Sequence, residues 1–449
     1  MGYILAGETG IIARREIVRH LIEMVFVAAG YLALSGLSAA LAFSHADAWT
    51  VWFASGLTLG LLLVRPRAAW IAILAGAFVG AALFALLIGG RFDALGYGAL
   101  EVLTAAAGAW IASRMTDLPA RLDHPRELAA LVFGGALSQA VIGALIAALW
   151  NVASGGGEGI ATFRLWALSN FVGTLIVAPL VIAWAQFRPK RSGGLPMPAF
   201  AGGGIACALF LVSVFLLFRA GPTDYLGGNV GRGLIYEPVV FMALLALIWG
   251  LRGATFAAAA GTLIALLYTK MGKGPFAGIQ GYLGDPALEA QAYTVAISLT
   301  GMLIAVLAAS QRIAVREARE WQARFEAAIG AHRLMAYEWD PASGRMVVTG
   351  DTELLLGTAP ARIATLADWL SLLAPDDRER VSARFEQRAQ ARGAQDSISY
   401  LVAGPDGAPL AVSDEARAIV DHDGEMHRVV GLVRVASARS TDGKGEPAP

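Results

Sequence analysis

The chain has 449 residues, of which 56% are hydrophobic and 16% charged, and its 35 basic and 35 acidic side chains leave a formal net charge of zero. So much apolar content with so little charge excludes a disordered protein. The zero balance gives no support to nucleic-acid binding, which goes with a basic excess. The one cysteine, Cys207, excludes a disulfide framework and any cysteine-cluster metal site.

The average hides a split. Residues 1–310 carry 18 basic and 14 acidic residues, a membrane-like charge density of about 10%, and residues 311–449 carry 17 and 21, an ordinary soluble density of about 27%. The expected boundary therefore falls near Gln311. Apolar runs suited to crossing a bilayer occupy 21–43, 47–64, 69–89, 94–113, 128–150, 165–187, 199–218, 237–251, 253–269 and 292–311, the second and eighth being short. Residues 1–20 form a cytoplasmic N-terminal segment. The run from Leu21 to Phe43 is too long for the core of a signal peptide, so it reads as an uncleaved first span. Alternate loops hold twelve basic residues on one side (Arg14 to Arg252) and six on the other (Arg91 to Lys273). The positive-inside rule then predicts cytoplasmic termini in a plasma, or inner, membrane.

Few polar groups interrupt these spans. Glu101 lies between Leu100 and Val102, where an ionisable group is costly and faces the bundle interior. It reads as a ligand, proton or ion site, or as a protonated carboxyl bonded to a neighbouring helix. His45, Asp47, Trp49 and Trp52 cluster at the external mouth of the second span. They form either an outward-facing ligand pocket or an aromatic belt at the interface, the belt being favoured. Asn170 is placed to bond Glu101 or a ligand, or to act as polar glue between helices. Pro179 should kink its helix. Gly76 and Gly80 read as helix packing. Residues 52–89 and 241–269 share an order of short span, basic turn and long span, a pattern found in transporter repeats.

The segments Val51-Trp52-Phe53-Ala54-Ser55-Gly56, the Glu101 helix ending in Arg114, Trp166 through Asn170-Phe171-Val172-Gly173 to Ala178-Pro179-Leu180, and Trp249-Gly250-Leu251-Arg252-Gly253 leading to Gly272-Lys273-Gly274-Pro275-Phe276 carry a resemblance in their order and spacing. Together they resemble the first class of bacterial membrane-associated sensor (MASE) domains, over about residues 20–312. The resemblance implies an integral inner-membrane input module of diguanylate cyclases, histidine kinases and similar signalling proteins. Asn170 stands where that family often has an acidic residue, and Phe53 where a proline is common.

Residues 312–329 read as a helical linker out of the last span. Ala314, Ala318, Trp321, Phe325 and Ala328 repeat at heptad spacing. The seam reads as a dimeric signalling coil, or as a helix packed on the domain that follows. From Leu334 the period changes to that of strands. The predicted order is strands at 334–340 and 345–349, helices at 352–356, 366–373 and from Pro375-Asp376 to about 390, then strands at 397–403, 408–420 and 426–435. Asp376 with Glu379 suggests a capping box. Tyr337-Glu338-Trp339-Asp340-Pro341, Leu373-Ala374-Pro375-Asp376-Asp377-Arg378, Pro405-Asp406-Gly407 and Asp423-Gly424 leading to Val430-Gly431-Leu432 resemble the PAS fold. The tryptophan after the second hairpin and the closing output motif are missing. Haem- or flavin-binding residues are not assigned and the cofactor is unknown. The implied role is a dimerisation or relay module with an empty core. The tail 438–449 reads as disordered.

The expected fold is therefore mainly α: a polytopic transmembrane bundle of about ten helices (21–311), a linker (312–329) and a small α+β PAS-like cytoplasmic domain (330–437). No hydrolase, zincin, kinase or Walker signature occurs. The expected function is a non-enzymatic inner-membrane receptor that passes an external or intramembrane signal to the cytoplasmic domain, with Glu101, Asn170, His45, Asp47 and Trp52 as candidate ligand contacts and no metal. Its partners would be the lipid bilayer, a second copy in a homodimer and a cytoplasmic signalling protein, with no nucleic acid. Two other readings stay open: a transporter with a regulatory domain, and the sensor part of a longer diguanylate cyclase or histidine kinase.

Overall fold

The structure is a computed structural model, and it describes residues 2–43, 50–88, 94–155, 159–185, 195–220, 234–277, 286–331, 334–350, 352–390, 395–420 and 426–435. The chain divides into two compact units, Met1–Ile313 and Ala314–Pro449.

The first unit contains α1 (Gly2–Ala40), α2 (Phe53–Val64), α3 (Trp70–Leu87), α4 (Ala94–Met115), α5 (Pro125–Ala153), α6 (Gly159–Ala185), α7 (Met197–Arg219), α8 (Glu237–Lys270) and α9 (Pro286–Ala331), the last running on past the division. Eight of these helices are long and apolar enough to cross a membrane. Large apolar side chains stand exposed along them, among them Ile71 on α3 and Leu103 on α4, as an apolar solvent requires. α5 passes through a π-helical stretch at Ala130–Leu137, and α6 runs through Pro179 to Ala185.

The two short spans are solved differently. α2 has only 12 residues, or roughly 18 Å of helix against a hydrocarbon core of about 30 Å. The preceding Thr50–Trp52 segment is buried and non-helical, and the Trp52 N–H donates to the Ser169 carbonyl of α6 at 3.0 Å. Irregular backbone at membrane depth is tolerated where protein covers it and satisfies its polar groups. α8 breaks at Gly250, whose φ of 63° and ψ of −146° lie outside the helical region and suit glycine. The chain reverses there. Met242 and Ala254 sit on opposite sides of the break, yet both lie within 4 Å of the Cβ position of Gly301 on α9. The two limbs correspond to the expected spans 237–251 and 253–269.

Contacts fix the direction of each helix. Gln291, in the second turn of α9, donates to the Thr50 carbonyl, and Lys270 at the end of α8 donates to Ala40 at the end of α1. One end of the bundle thus gathers the end of α1 and the starts of α2 and α9. At the other end Arg252 Nε reaches Ala183 O near the end of α6 (3.2 Å), and Arg312 reaches the Leu247 carbonyl. The chain leaves the bundle at that second end.

The second unit has five antiparallel strands, β1 (Leu334–Trp339), β2 (Met346–Gly350), β3 (Gln395–Ala403), β4 (Pro409–Val420) and β5 (Met426–Val435), in the order β2-β1-β5-β4-β3. Helices α10 (Thr352–Leu356), α11 (Leu366–Ser371) and α12 (Pro375–Gln390) lie between β2 and β3 in sequence. One sheet face, with Tyr337, Trp339, Val412, Val429 and Val433, buries against Trp369, Val381 and Phe385 of the helices. The capping box is one helix earlier than expected. Thr365 and Asp368 form it at α11, whereas Asp376 lies inside α12, past the position from which a side chain caps. Residues 314–328 of α9 are exposed throughout, so the heptad seam does not pack on the sheet that follows. Trp321 and Phe325 stack on each other instead, 5.6 Å apart at 17°.

Candidate signal-reception site

Glu101 stands in the second turn of α4 and is 3% exposed. The Tyr31 hydroxyl of α1 and the Trp52 indole, at the entry to α2, face its carboxyl, and the Trp52 Nε1–H donates to Tyr31 Oη at 3.3 Å. Among the described residues its Oε2 has no hydrogen-bond partner. Among the described residues no basic side chain forms an ion pair with it.

Aromatic rings wall this carboxyl. Trp52 meets Phe84 of α3 edge-on at 5.5 Å and Tyr97 of α4 at 6.1 Å, and Tyr97 meets Trp166 of α6 at 5.8 Å. Five helices therefore meet around one acidic group. All these residues lie toward the end where α1 and α3 finish and α2, α4 and α6 begin. That end is opposite to the one by which the chain leaves the bundle.

Small residues make the convergence possible. A Cβ on Gly173 would lie 1.9 Å from the Trp52 carbonyl oxygen, so only glycine lets α6 come this close. That carbonyl accepts Ser55 Oγ at 2.9 Å, Ser55 Oγ pairs with Thr174 Oγ1 at 3.0 Å, and Phe53 N–H donates to Ser38 Oγ at 3.0 Å. Gly76 and Gly80 pack on α1 at Val27 and Tyr31, which sets the height of the Tyr31 phenol.

Of the expected contacts, Glu101 and Trp52 come together. Trp52 is 2% exposed and belongs to the bundle interior, not to an interfacial belt. Asn170 is buried on α6, one turn beyond Trp166, and its Nδ2 donates to the Trp166 carbonyl at 3.0 Å rather than to Glu101. His45 and Asp47 lie outside the described residues. Tyr31, Tyr97, Phe84 and Trp166 were not among the expected contacts. Tyr97, one helical turn before Glu101, is the one that spacing alone could have added.

The second unit has a polar cluster of its own. Arg388 of α12 and Asp414 of β4 form a buried pair, Nη1 to Oδ2 at 2.8 Å, with side chains 2% and 0% exposed. Arg388 also binds Asp396 Oδ2 (2.8 Å) and the Tyr337 hydroxyl (2.8 Å), and Asp414 accepts the Tyr337 and Tyr400 hydroxyls at 3.1 Å. Burial would lower the Arg388 pKa, but Tyr337, Asp414 and Asp396 outweigh it and hold the guanidinium above its usual range. Burial pushes the Asp414 carboxyl up, against the pull of Arg388 and the two phenols. Burial would also raise Asp396, but Arg388 and Arg384 overcome it and hold that carboxyl below the ordinary range. The core is thus occupied by its own side chains. Among the described residues no group of three His, Cys, Asp or Glu side chains is placed to hold a metal.

An apolar multi-helix bundle around a buried carboxyl, joined to a five-stranded sheet with helices between its second and third strands, defines a multi-pass membrane protein with a second, α+β unit. The MASE1 family matches residues 23–312, and the chain belongs to that family. A PAS fold matches residues 345–433. No curated protein matches the chain. Two solved structures are similar to part of the chain. One is the N-terminal domain of a diguanylate cyclase with PAS/PAC sensor from Marinobacter aquaeolei, at 18% identity, covering 23% of this chain and 94% of that one, with a TM-score of 0.22. The other is a sensory box histidine kinase/response regulator from Burkholderia thailandensis E264, at 22% identity, covering 26% and 88%, also with a TM-score of 0.22.

Proposed function

We propose that this protein is an inner-membrane receptor with cytoplasmic termini, in which the Glu101 cluster receives an external or intramembrane signal. The carrying observation is that Tyr31 of α1 and Trp52, at the entry to α2, converge on one buried carboxyl whose Oε2 has no partner among the described residues. A signal that changes what Glu101 bonds must move α1 and α2 against α4. Such a signal acts only by favouring one of two bundle arrangements over the other. α9 continues as a helix from the bundle to Ala331 and carries the shift to the PAS domain. A second copy, docked along the exposed seam of α9, or a cytoplasmic signalling protein then reads it, and the chain itself performs no catalytic step.

The test is a signalling readout in cells that carry Glu101→Gln or Asn170→Ala. Altered output with Glu101→Gln supports the site; wild-type output from both variants overturns it. The paired short and long limbs, α2 with α3 and the two limbs of α8, favour one second reading, a transporter. Solute flux in proteoliposomes supports that reading, and binding without flux sinks it.

A further inference from the structure

The end of the bundle by which the chain leaves carries a cleft of about 530 Å³, lined by Val64, Arg67, Ser113, Thr116, Asp117 and Pro119 among others. It lies between the α2–α3 turn, the end of α4 and the loop that follows. Its loop wall is pinned, because the Ala120 N–H donates to Leu63 O at 2.9 Å and both Ala120 and Leu122 are buried in the bundle core.

Two opposite charges face this cleft without neutralising each other. Arg67 and Asp117 both line it, and neither forms an ion pair with the other or with any described residue. Arg65, two residues away, is by contrast tied to Glu23 at 2.7 Å. Among the described residues the one bond from Arg67 is a long one, Nη2 to Ser113 Oγ at 3.5 Å. The surroundings place the cleft at the rim of the apolar belt. Ile71, one turn beyond Arg67, is 81% exposed, and Trp110, one turn before Ser113, is 53% exposed. Arg114 lies over the Trp110 ring at 4.8 Å. An exposed tryptophan with a cation on its face is the chemistry of a membrane–water interface.

We propose that this cleft binds the phosphoethanolamine head of a membrane phospholipid, in the leaflet on the side by which the chain leaves the bundle. Arg67, with the Ser113 and Thr116 hydroxyls, takes the phosphate, and Asp117 takes the primary ammonium. The ligand's two charges match the two unpaired charges of the cleft, so the complex is neutral. A choline head carries the same charge but has no N–H to give Asp117, so the cleft discriminates against it.

The test is native mass spectrometry of the full chain in detergent, titrated separately with phosphatidylethanolamine, phosphatidylcholine and water-soluble phosphoethanolamine. Phosphatidylethanolamine should bind about ten-fold more tightly than phosphatidylcholine, the weight of one charge-assisted hydrogen-bond set. Arg67→Gln should weaken both lipids by about ten-fold. Asp117→Asn should erase the preference between them, weakening phosphatidylethanolamine more than phosphatidylcholine. Both substitutions are at exposed positions, and an unchanged thermal melt verifies the fold. Equal binding of the two lipids by the wild type, or lipid binding that neither substitution alters, overturns the proposal. Phosphoethanolamine held as tightly as the lipid assigns the cleft to a soluble zwitterion and overturns the lipid assignment.

Discussion

Trp52 and Tyr31 meet through their polar tips deep in an apolar bundle: the indole nitrogen lies 3.3 Å from the phenol oxygen, and both face the Glu101 carboxyl. In a low-dielectric interior each such donor matters, because its loss leaves a buried acceptor unsatisfied. Tyr31→Phe removes one donor and keeps the ring. It should cost about 1–2 kcal/mol, seen as a lower melting temperature of the detergent-solubilised protein, and should shift signalling in the same sense as Glu101→Gln.

Gly173→Ala tests how closely α6 must approach the entry to α2. The added methyl would lie 1.9 Å from the Trp52 carbonyl oxygen, and backbone cannot swing aside as a side chain can. Overpacking of this kind costs about 1–3 kcal/mol. A thermal melt at or above the wild-type value would show that the two segments are free to separate.

In the PAS domain, Arg388→Met should destabilise far more than the pair's own net worth. It leaves the Asp414 carboxyl, 0% exposed, without its countercharge, at a cost of about 3–5 kcal/mol. The double variant Arg388→Met with Asp414→Leu removes both charges and should recover a large part of that loss. Chemical denaturation of the full chain, followed by fluorescence of the PAS tryptophans, reads both.

Acid should loosen the same domain. Asp340, bonded by Ser343, and Asp368, bonded by Thr365, are held below the ordinary carboxylate range, as is Asp377 by Arg380. Hydrogen bonds from Arg388 and Arg384 do the same for Asp396 against its burial. A carboxyl whose folded pKa is depressed contributes stability that is present above its unfolded value, about 3.9, and lost as pH falls through the folded value. Asp414, pushed up by burial, works in the opposite sense. The PAS transition should therefore weaken below about pH 4. Asp396→Asn should lower stability at neutral pH and flatten that acid limb.

The exposed seam of α9 bears on assembly. Trp321 is 68% exposed and stacked on Phe325, an arrangement that a second α9 would bury. Trp321→Asp with Phe325→Asp should reduce the dimer fraction measured by light scattering in detergent, and an unchanged mass would remove the coiled-coil assignment.

Much of this was legible in the chain. The charge density that changes near Gln311 marked the passage from lipid to water, and the strand periods from Leu334 onward located the sheet, because burial on one face imposes period two whatever the partners. Glu101 showed itself as a lone carboxyl in an apolar run. What surrounds it did not. Tyr31, Phe84 and Trp166 sit on other helices, and which faces of those helices meet depends on three-dimensional close packing at Gly80 and Gly173. Trp52 looked interfacial because a tryptophan near a span end usually is, but the helix it introduces is too short to lift it out of the core. Arg388 and Asp414 were invisible for a related reason: a charge in a polar-rich helix reads as surface until the sheet behind it supplies a partner.

The central claim is that the Glu101 cluster is coupled through α9 to the PAS domain. Its most direct test is amide hydrogen exchange on the full-length protein in lipid nanodiscs, comparing the wild type with Glu101→Gln. The account predicts altered protection in residues 314–331 and in β1, far along the chain from the substitution. Exchange there identical to the wild type, with the bundle itself intact and its Tyr31 and Trp52 segments altered, would contradict it.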